Sequence, residues 1–278
     1  GNGTNGFSGD NGLATAASLR FPQGIAIDSV GNILIADTAK NRIRRVDAQT
    51  GMISTIAGTG SATVTGDGGL ASSAAIGAVE VITIDSSNNI FILGSANNRI
   101  RRIDAISRNI STVVGTGTKG FSGDGGPATN AQINSAEDFT VDIFGNIFIA
   151  DSGNSRIRRV DSKTGVITTV AGSGLFAFGG DNGPATNATL NVPKAIAVNG
   201  LGALFIGDTG NNRVRQVSNG GIISTIAGNG TSSFTPRGAI ADTRFDYPEA
   251  MTIDSNGIIY VADTFNNRVV LLDINRGV

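Results

Sequence analysis

One sequence motif returns five times along this chain of 278 residues. In each copy a turn rich in Asn and Ser precedes a strand-like run that begins with Arg. The copies are Asp37–Asp47, Gly94–Asp104, Asp151–Asp161, Asp208–Ser218 and Asp263–Asp273. Their first residues, at positions 37, 94, 151, 208 and 263, are separated by 57, 57, 57 and 55 residues. A fixed period of this length indicates a repeat architecture, in which each copy is one small structural unit.

Turn residues divide each repeat into four short apolar runs. In the first repeat these runs cover residues 24–28, 33–36, 42–47 and 52–57, and residues that tolerate positive φ, such as Gly31, stand between them. Four short antiparallel strands per repeat predict an all-β fold, a β-propeller of five four-stranded blades. A helical solenoid is disfavoured, because the chain contains 40 Gly and no long apolar pattern of helical period.

We expect a single domain over residues 1–278. Its repeats cover approximately residues 1–58, 59–115, 116–172, 173–228 and 229–278. A long polar connection that is rich in Gly and Asp follows each fourth strand. Apolar residues recur in it at the same period, namely Ala17, Ala74, Ala131 and Ala188, and Leu19, Ile76, Ile133, Leu190 and Phe245. We expect these side chains to anchor the connection on the core.

The fifth repeat stops after its third strand, at Leu272 and Asp273. The residues that follow are too few for a turn and a fourth strand, and the first residues of the chain match the segment after a fourth strand. The sequence therefore predicts a last blade that lacks its outer strand and has an open edge. Three interpretations stay open: an excerpt of a longer protein, a five-blade ring with one three-stranded blade, or a strand donated by a partner in a head-to-tail assembly.

Composition argues against several functions. The net charge of −1 favours neither nucleic acid nor a membrane surface, and no apolar run is long enough to span a membrane. The chain has no Cys and no His, so the commonest general base and metal ligand are missing. The remaining candidates do not form a recognisable catalytic constellation; they are Glu80, Glu137, Asp138, Glu249, Tyr247 and Tyr260. We therefore predict no catalytic residue, no enzyme, no nucleic-acid partner and no membrane insertion.

The most prominent charged feature is a stripe of arginines on the third strands. One interpretation is a basic rim for a polyanion. We favour a lattice of Arg and Asp between the blades, because the aspartates recur at the same period and aromatic residues for base stacking make up only 5% of the chain. The lattice comprises Arg42, Arg44, Arg45, Arg99, Arg101, Arg102, Arg156, Arg158, Arg159, Arg213 and Arg215, with Asp37, Asp47, Asp151, Asp161 and Asp208.

Two further sets of residues are weaker candidates. Asp10, Asp67, Asp124 and Asp181 lie among glycines and are calcium candidates, although one carboxylate per loop is few for calcium and an Asx turn explains the pattern as well. No other metal or cofactor is expected. Asn2, Asn109, Asn187 and Asn229 begin glycosylation sequons in predicted loops, but their number does not exceed chance.

Three motifs carry a resemblance to a known family. The patterns P-x-G/A-I-A-I/V-D, G-N-I-x-I-A-D and N-x-R-I/V-x-x-V/I resemble the NHL repeat, and the connection G-D-G/N-G-x-A resembles its long-loop, extracellular-type variant. The resemblance covers essentially the whole chain. Two repeats depart from it: Gly94 replaces the Asp of the second, and Val269, Val270 and Leu271 replace Arg pairs in the fifth.

The resemblance implies a β-propeller, while its function has to be argued from the site. We expect a non-catalytic protein-interaction or structural module of a secreted or cell-surface protein, which self-assembles by strand donation to the open blade or adjoins further blades of a longer chain. The alternative is a ligand-sensing ectodomain that binds a small molecule or glycan at the channel mouth. A propeller enzyme is the weaker alternative.

Overall fold

Short strands joined by tight turns make up the chain in a computed structural model that describes residues 1–234, 240–274 and 276. The strands belong to two units, Gly1–Lys119 and Gly120–Val278. The single domain and its repeat boundaries stay predictions. The segment after Asp273, which we predict to be too short for a fourth strand, lies partly outside the described residues.

The first unit contains two antiparallel blades. The strands of blade one are β2 (Ile25–Ile27), β3 (Ile33–Asp37), β4 (Arg42–Val46) and β5 (Met52–Ala57), and the short β1 (Gly12–Leu13) pairs with the outer side of β5. The strands of blade two are β6 (Val81–Ile84), β7 (Ile90–Gly94), β8 (Arg99–Ile103) and β9 (Ile110–Val114). Because β1 belongs to the long connection that precedes blade one, that connection returns along the outer edge of the blade it leads into.

The second unit contains three blades. Blade three is formed by β10 (Asp138–Val141), β11 (Ile147–Asp151), β12 (Arg156–Val160) and β13 (Ile167–Ala171), and blade four by β14 (Ala195–Val198), β15 (Leu204–Asp208), β16 (Arg213–Val217) and β17 (Ile223–Ala227). Blade five has three strands, β18 (Pro248–Ile253), β19 (Ile258–Asp263) and β20 (Arg268–Asp273). The predicted all-β fold of five propeller-type blades, the last of them three-stranded, is confirmed.

The Asn of the repeat motif sets the turn before each third strand. A single turn of 3₁₀ helix follows the second strand, and Asn41, at φ 52°, then reverses the chain into β4. Equivalent residues with positive φ precede the other third strands, namely Asn98, Ser155, Asn212 and Asn267. Asparagine tolerates the left-handed conformation better than most residues, which explains why Asn so often precedes the Arg.

Apolar layers between consecutive blades form the core of each unit. We call the side of a blade that contacts the following blade its trailing face, and the other side its leading face. In the first unit the trailing face of blade one (Leu34, Ala36, Ile43 and Ala57) packs on the leading face of blade two (Ile82, Ile90, Ile92 and Ile103). Blades three and four, and blades four and five, pack in the same way through equivalent residues. Blade four, which packs against a blade on each side, is therefore apolar on both faces.

The recurring apolar residues of the long connections lie in these layers. Ile76, Ile133, Leu190 and Phe245 are at most 1% exposed, as are the recurring alanines. Leu19, in the connection before blade one, is partly exposed. The predicted anchoring of the connections on the core is confirmed for the buried members of the set.

Candidate functional site

A buried arginine lies at the centre of the third strand in each of the first four blades. The four are Arg44, Arg101, Arg158 and Arg215, and none is more than 3% exposed. Each guanidinium binds the Asp of the preceding connection, in the pairs Arg44–Asp10 (2.8 Å), Arg101–Asp67 (2.6 Å), Arg158–Asp124 (2.7 Å) and Arg215–Asp181 (2.7 Å). Each also donates to at least one main-chain carbonyl oxygen of that connection; Arg44 donates to that of Ser8, and Arg101 to those of Thr65 and Ala75. The arginine thus fixes the connection on its blade.

A second carboxylate faces the same guanidinium from the neighbouring strand. Asp37, Asp151 and Asp208 are fully buried and lie 3.6, 3.4 and 3.1 Å from Arg44, Arg158 and Arg215. Burial raises the pKa of all three carboxyl groups, although hydrogen bonds and the arginine charges oppose it. The other carboxylate oxygen accepts a main-chain N–H at the end of the connection, which in blade three is that of Asn134 at 2.7 Å.

Blades two and five depart from this arrangement, as their sequences indicate. In blade two Gly94 replaces the second Asp, and a Cβ atom there would collide with the carbonyl oxygen of Ala78. In blade five Val270 occupies the arginine position, and Asp263 is paired instead with Arg268 at 2.7 Å. The buried Asp at the end of the second strand is therefore paired with an arginine in each blade that contains it.

The loop aspartates that are calcium candidates use both carboxylate oxygens in these contacts. One oxygen of Asp67 accepts from Arg101, and the other accepts from the hydroxyl of Thr112 at 2.6 Å. Burial raises the pKa of Asp67, but these hydrogen bonds outweigh it and hold the pKa below its ordinary value. Asp10, Asp124 and Asp181 have equivalent Thr partners, Thr55, Thr169 and Thr225. Within the described ranges, no three Asp or Glu side chains gather as a metal site would require.

The remaining arginines of the stripe have two other environments. Arg102 and Arg159 pair with Asp104 and Asp161 at 2.9 Å, and Arg45 pairs with Asp47 at 3.5 Å. These pairs are about one-third exposed, so they add little stability. Their aspartates mainly cap the turn before the fourth strand. The first arginine of each third strand donates to a main-chain carbonyl oxygen beyond the fourth strand; these are Arg42, Arg99, Arg156 and Arg213.

Sequence reasoning missed a set of phenylalanines that stack on these arginines. The guanidinium carbons of Arg42, Arg156 and Arg213 lie 4.1, 3.9 and 3.7 Å from the ring centres of Phe7, Phe121 and Phe178, and that of Arg268 lies 4.5 Å from Phe234. Three of these rings precede the loop Asp by three residues, a spacing visible in the sequence. The ring covers the arginine from water and adds a cation–π contact.

Polar side chains of the second unit gather where the first strands of blades four and five begin. Lys194 binds Glu249 at 3.0 Å, and its ammonium group lies 4.8 Å from the ring centre of Tyr247. Burial lowers the pKa of Lys194, but hydrogen bonds to Glu249 and Tyr247 and the charge of Glu137 outweigh it and raise the pKa. The structure thus joins two of the residues that the sequence left as isolated candidates, Glu249 and Tyr247. Glu80, in the first unit, instead accepts the main-chain N–H of Ser95 at 2.8 Å.

Asp138, on the first strand of blade three, has a carboxyl group whose pKa is raised far above its ordinary value. It accepts the main-chain N–H of Ile196 in the next blade at 3.0 Å, and burial raises its pKa to about 7 against the opposing effect of its hydrogen bonds. Ile196 lies on the free inner edge of β14, so the carboxylate satisfies a donor that has no neighbouring strand. This contact joins the inner strands of blades three and four.

The outer edge of β20 is the open edge that the sequence predicts. In the first four blades the third strand pairs on both sides, whereas β20 pairs only with β19 among the described residues. Its sequence, Arg-Val-Val-Leu-Leu-Asp, contains neither Lys nor Pro, the residues that commonly protect an edge.

The four sequon asparagines, Asn2, Asn109, Asn187 and Asn229, are all exposed. Their glycosylation stays a prediction.

The buried ion pairs lead to a test of stability. We expect Arg158→Leu to lower the free energy of unfolding by about 3–5 kcal/mol, because the buried Asp151 loses its cation. Arg101→Leu should cost less, since Gly94 leaves no buried carboxylate there. Denaturant unfolding of the purified protein measures both. Arg159→Leu, on the same strand but partly exposed, is the matched control and should cost less than about 1 kcal/mol. Equal losses for all three variants would contradict this account.

The raised pKa of Asp138 leads to a test of pH dependence. Near pH 4 the carboxyl is largely protonated in the folded chain. Between about pH 4 and 7 the unfolded chain loses the proton first, so the stability of the folded protein falls as the pH rises. We expect the stability of Asp138→Asn relative to the wild type to rise by roughly 2–4 kcal/mol between pH 4 and pH 8, because the amide does not ionise. Thermal melting across this pH range measures the difference, and a constant difference would contradict the raised pKa.

The loop contacts also predict the response to calcium. Because the oxygens of Asp10, Asp67, Asp124 and Asp181 are engaged by Arg and Thr, we expect no rise in melting temperature on adding calcium and no fall on adding a chelator. A calcium-dependent rise that Asp124→Asn reduces would establish a calcium site in these loops.

No helix among the described residues is both long and apolar enough to cross a membrane.

Comparisons with known proteins agree with the repeat structure. A Teneurin NHL domain family matches residues 3–66 and 176–246, and an NHL repeat family matches residues 245–270. The chain is 26% identical to human NHL repeat-containing protein 2, over 95% of this chain and 40% of that protein. It is 31% identical to mouse Teneurin-4, over 75% of this chain and 8% of that protein. The chain thus spans less than half of the length of these relatives.

Solved structures show the same fold at low sequence identity. A nidogen/laminin complex matches with a TM-score of 0.62 and 16% identity, covering 92% of this chain and 77% of that chain. Virginiamycin B lyase from Staphylococcus aureus matches with a TM-score of 0.51 and 15% identity, covering 90% and 69%. Because the likeness extends to an enzyme, the fold alone leaves catalysis open. The five blades, their repeated Asp–Arg motif and the matches to NHL sequences together show that this chain belongs to the NHL-repeat β-propeller family.

Proposed function

We propose that this chain is a non-catalytic protein-interaction module of a secreted or cell-surface protein, and that it binds a partner by accepting an extended strand along the outer edge of β20. A strand supplied by another copy would give head-to-tail self-assembly. The observation that carries the proposal is that β20 pairs only with β19 among the described residues.

The edge of β20 has the properties of a strand acceptor. Its outward main-chain groups have no neighbouring strand among the described residues, and a partner strand would satisfy them as β17 does for β16. Val269 and Leu271 on this strand are 61% and 55% exposed, so a bound strand would also cover apolar surface. Unprotected edges of this kind favour pairing with another chain.

The family supports an interaction role in general terms. The curated relatives are named for their NHL repeats or as teneurins, and none of those reported above is named as an enzyme. A secreted or cell-surface location is supported by the long-loop repeat and by the exposure of all four sequon asparagines.

The polar cluster in the second unit favours a second candidate function, the binding of a small ligand by the inner strands. Lys194, Tyr247 and Glu249 combine a cation, an aromatic ring and a carboxylate, a combination that suits a small polar molecule or a glycan. The ammonium group is already paired with Glu249, so a ligand would have to compete with that contact. This makes strand uptake the better supported function.

A synthetic strand tests the proposal. Residues 222–227, Ile-Ile-Ser-Thr-Ile-Ala, contain the whole outer strand of blade four, so a labelled peptide of this sequence is a surrogate for the strand that blade five lacks. We expect saturable binding in fluorescence anisotropy, because the peptide completes the ladder of β20. The control peptide carries Pro in place of Ser224, which pairs with Gln216 of the neighbouring strand in blade four, so that it lacks a main-chain donor of the ladder and should bind far more weakly. Equal binding of both peptides, or of neither, would contradict strand uptake.

A further inference from the structure

A pocket lies between blades one and two, at the end of the sheets where each first strand turns into the second. Its volume of about 270 Å³ is near the lower end of the range for small-molecule pockets. Apolar side chains of the two sheets form its walls, namely Leu34, Ile56, Ile84 and Ile90. The turns that border it are joined by two hydrogen bonds between Ser29 and Asn88, at 2.8 and 3.1 Å.

The same position between blades three and four also forms a pocket, with a volume of about 510 Å³. Equivalent residues line the two pockets, in the pairs Leu34 and Phe148, Arg45 and Arg159, and Ile90 and Leu204. A pocket here is thus a feature of the way in which consecutive blades pack. The differences between the two pockets then show what is particular to the first.

Arg108 is the first difference. It lies in the turn before the fourth strand of blade two, at φ 63°, whereas the corresponding turns of blades one, three and four have Gly51, Gly165 and Gly221 in this conformation. A left-handed backbone costs free energy for a residue other than glycine, and residues held in it concentrate at binding sites. The guanidinium of Arg108 lines the pocket and makes no hydrogen bond or ion pair with the described part of the chain.

Arg45 is the second difference. Its equivalents Arg102 and Arg159 each donate to an Asn oxygen and to an Asp oxygen, at 2.8 or 2.9 Å. Arg45 has one hydrogen-bonding partner among the described residues, Asp47 at 3.5 Å, which is a long contact. Its side chain is 36% exposed. The first pocket is therefore lined by two arginines whose donors are largely unused.

The carboxylate in this pocket is already engaged. Asp28 accepts the main-chain N–H groups of Val30 and Asn32 and the side-chain amide of Asn32, at 3.1, 2.8 and 2.7 Å. Burial raises the pKa of Asp28, but these hydrogen bonds and the charge of Arg45 outweigh it and hold the pKa below its ordinary value. The pocket thus has spare donors on two guanidinium groups, while the oxygens of Asp28 are occupied. With two cations and one anion among its lining residues, it has a net charge of +1.

We propose that the pocket between blades one and two binds a phosphate or sulfate group that is attached to an apolar body. A guanidinium presents N–H donors in a fixed planar fork that matches the oxygens of such a group, so Arg45 and Arg108 hold the anionic end. Leu34, Ile56 and Ile84 contact the apolar end. All of these residues belong to the first unit, so the site is separate from the strand contact proposed for β20.

Isothermal titration calorimetry of the purified chain with phenyl phosphate and phenyl sulfate tests this site. We expect saturable binding of at least one ester, and the ester that binds more tightly identifies the preferred anion. Phenol, which lacks the anion, should show no saturable binding. Inorganic phosphate, which lacks the apolar body, should bind at least threefold more weakly than phenyl phosphate. Absence of binding by both esters, or equal binding of phenol, would overturn the proposal, and equal binding of inorganic phosphate would exclude the apolar part of it.

Two variants take their residues from the other repeats. Arg108→Gly restores the glycine of the corresponding turns, and Arg45→Gln introduces the residue that blade four has at this position, Gln216. Each should weaken binding of the ester at least tenfold, because a charged donor is lost. Arg159→Gln makes the same change in the second pocket and is the matched control, which should bind as the wild type does. Unchanged binding by Arg108→Gly, or an equal loss in Arg159→Gln, would contradict the assignment.

Thermal melting separates lost binding from lost folding. Without ligand, Arg108→Gly should melt close to the temperature of the wild type, because glycine adopts the left-handed conformation without strain. A saturating ester should raise the melting temperature of the wild type, since it binds only the folded chain, and should raise that of Arg108→Gly much less. An equal rise in both proteins would place the ester elsewhere and overturn the proposal.

Discussion

The arrangement of this protein depends on an arginine that is buried in the third strand of each of the first four blades. The long connection between blades has little regular structure, and polar contacts hold it in place together with its buried apolar residues. The guanidinium of Arg158 fixes it by binding the carboxylate of Asp124 and main-chain carbonyl oxygens, and Phe121 covers the group from solvent. A buried cation of this kind is tolerated only because acceptors surround it.

The same interaction explains the differences between the repeats. Where the second carboxylate is present, as in blade three, the arginine has two anionic partners and a fully buried environment. Blade two lacks the carboxylate because its backbone leaves no room for a side chain at Gly94. Blade five lacks the buried arginine, and an exposed Leu271 occupies the position of an Arg or Gln in the other blades. The fifth repeat therefore differs from the others in its polar network and in its surface together.

The proposed strand contact follows from the repetition itself. In the first four blades the third strand pairs with a strand on each side, whereas β20 pairs only with β19 among the described residues. A partner strand would give β20 the second neighbour that the other third strands have.

The sequence by itself determined the fold class, the number of blades and the three strands of the last blade. It could do so because strand period, turn residues and repeat length are local properties. It also identified the stripe of arginines. Only the tertiary structure decided their partners, because Arg44 and Asp10 are 34 residues apart and meet only when the connection returns along its own blade. The role of Phe7 was likewise decided by packing, since its ring lies 35 residues from Arg42 along the chain and contacts it only in the folded blade.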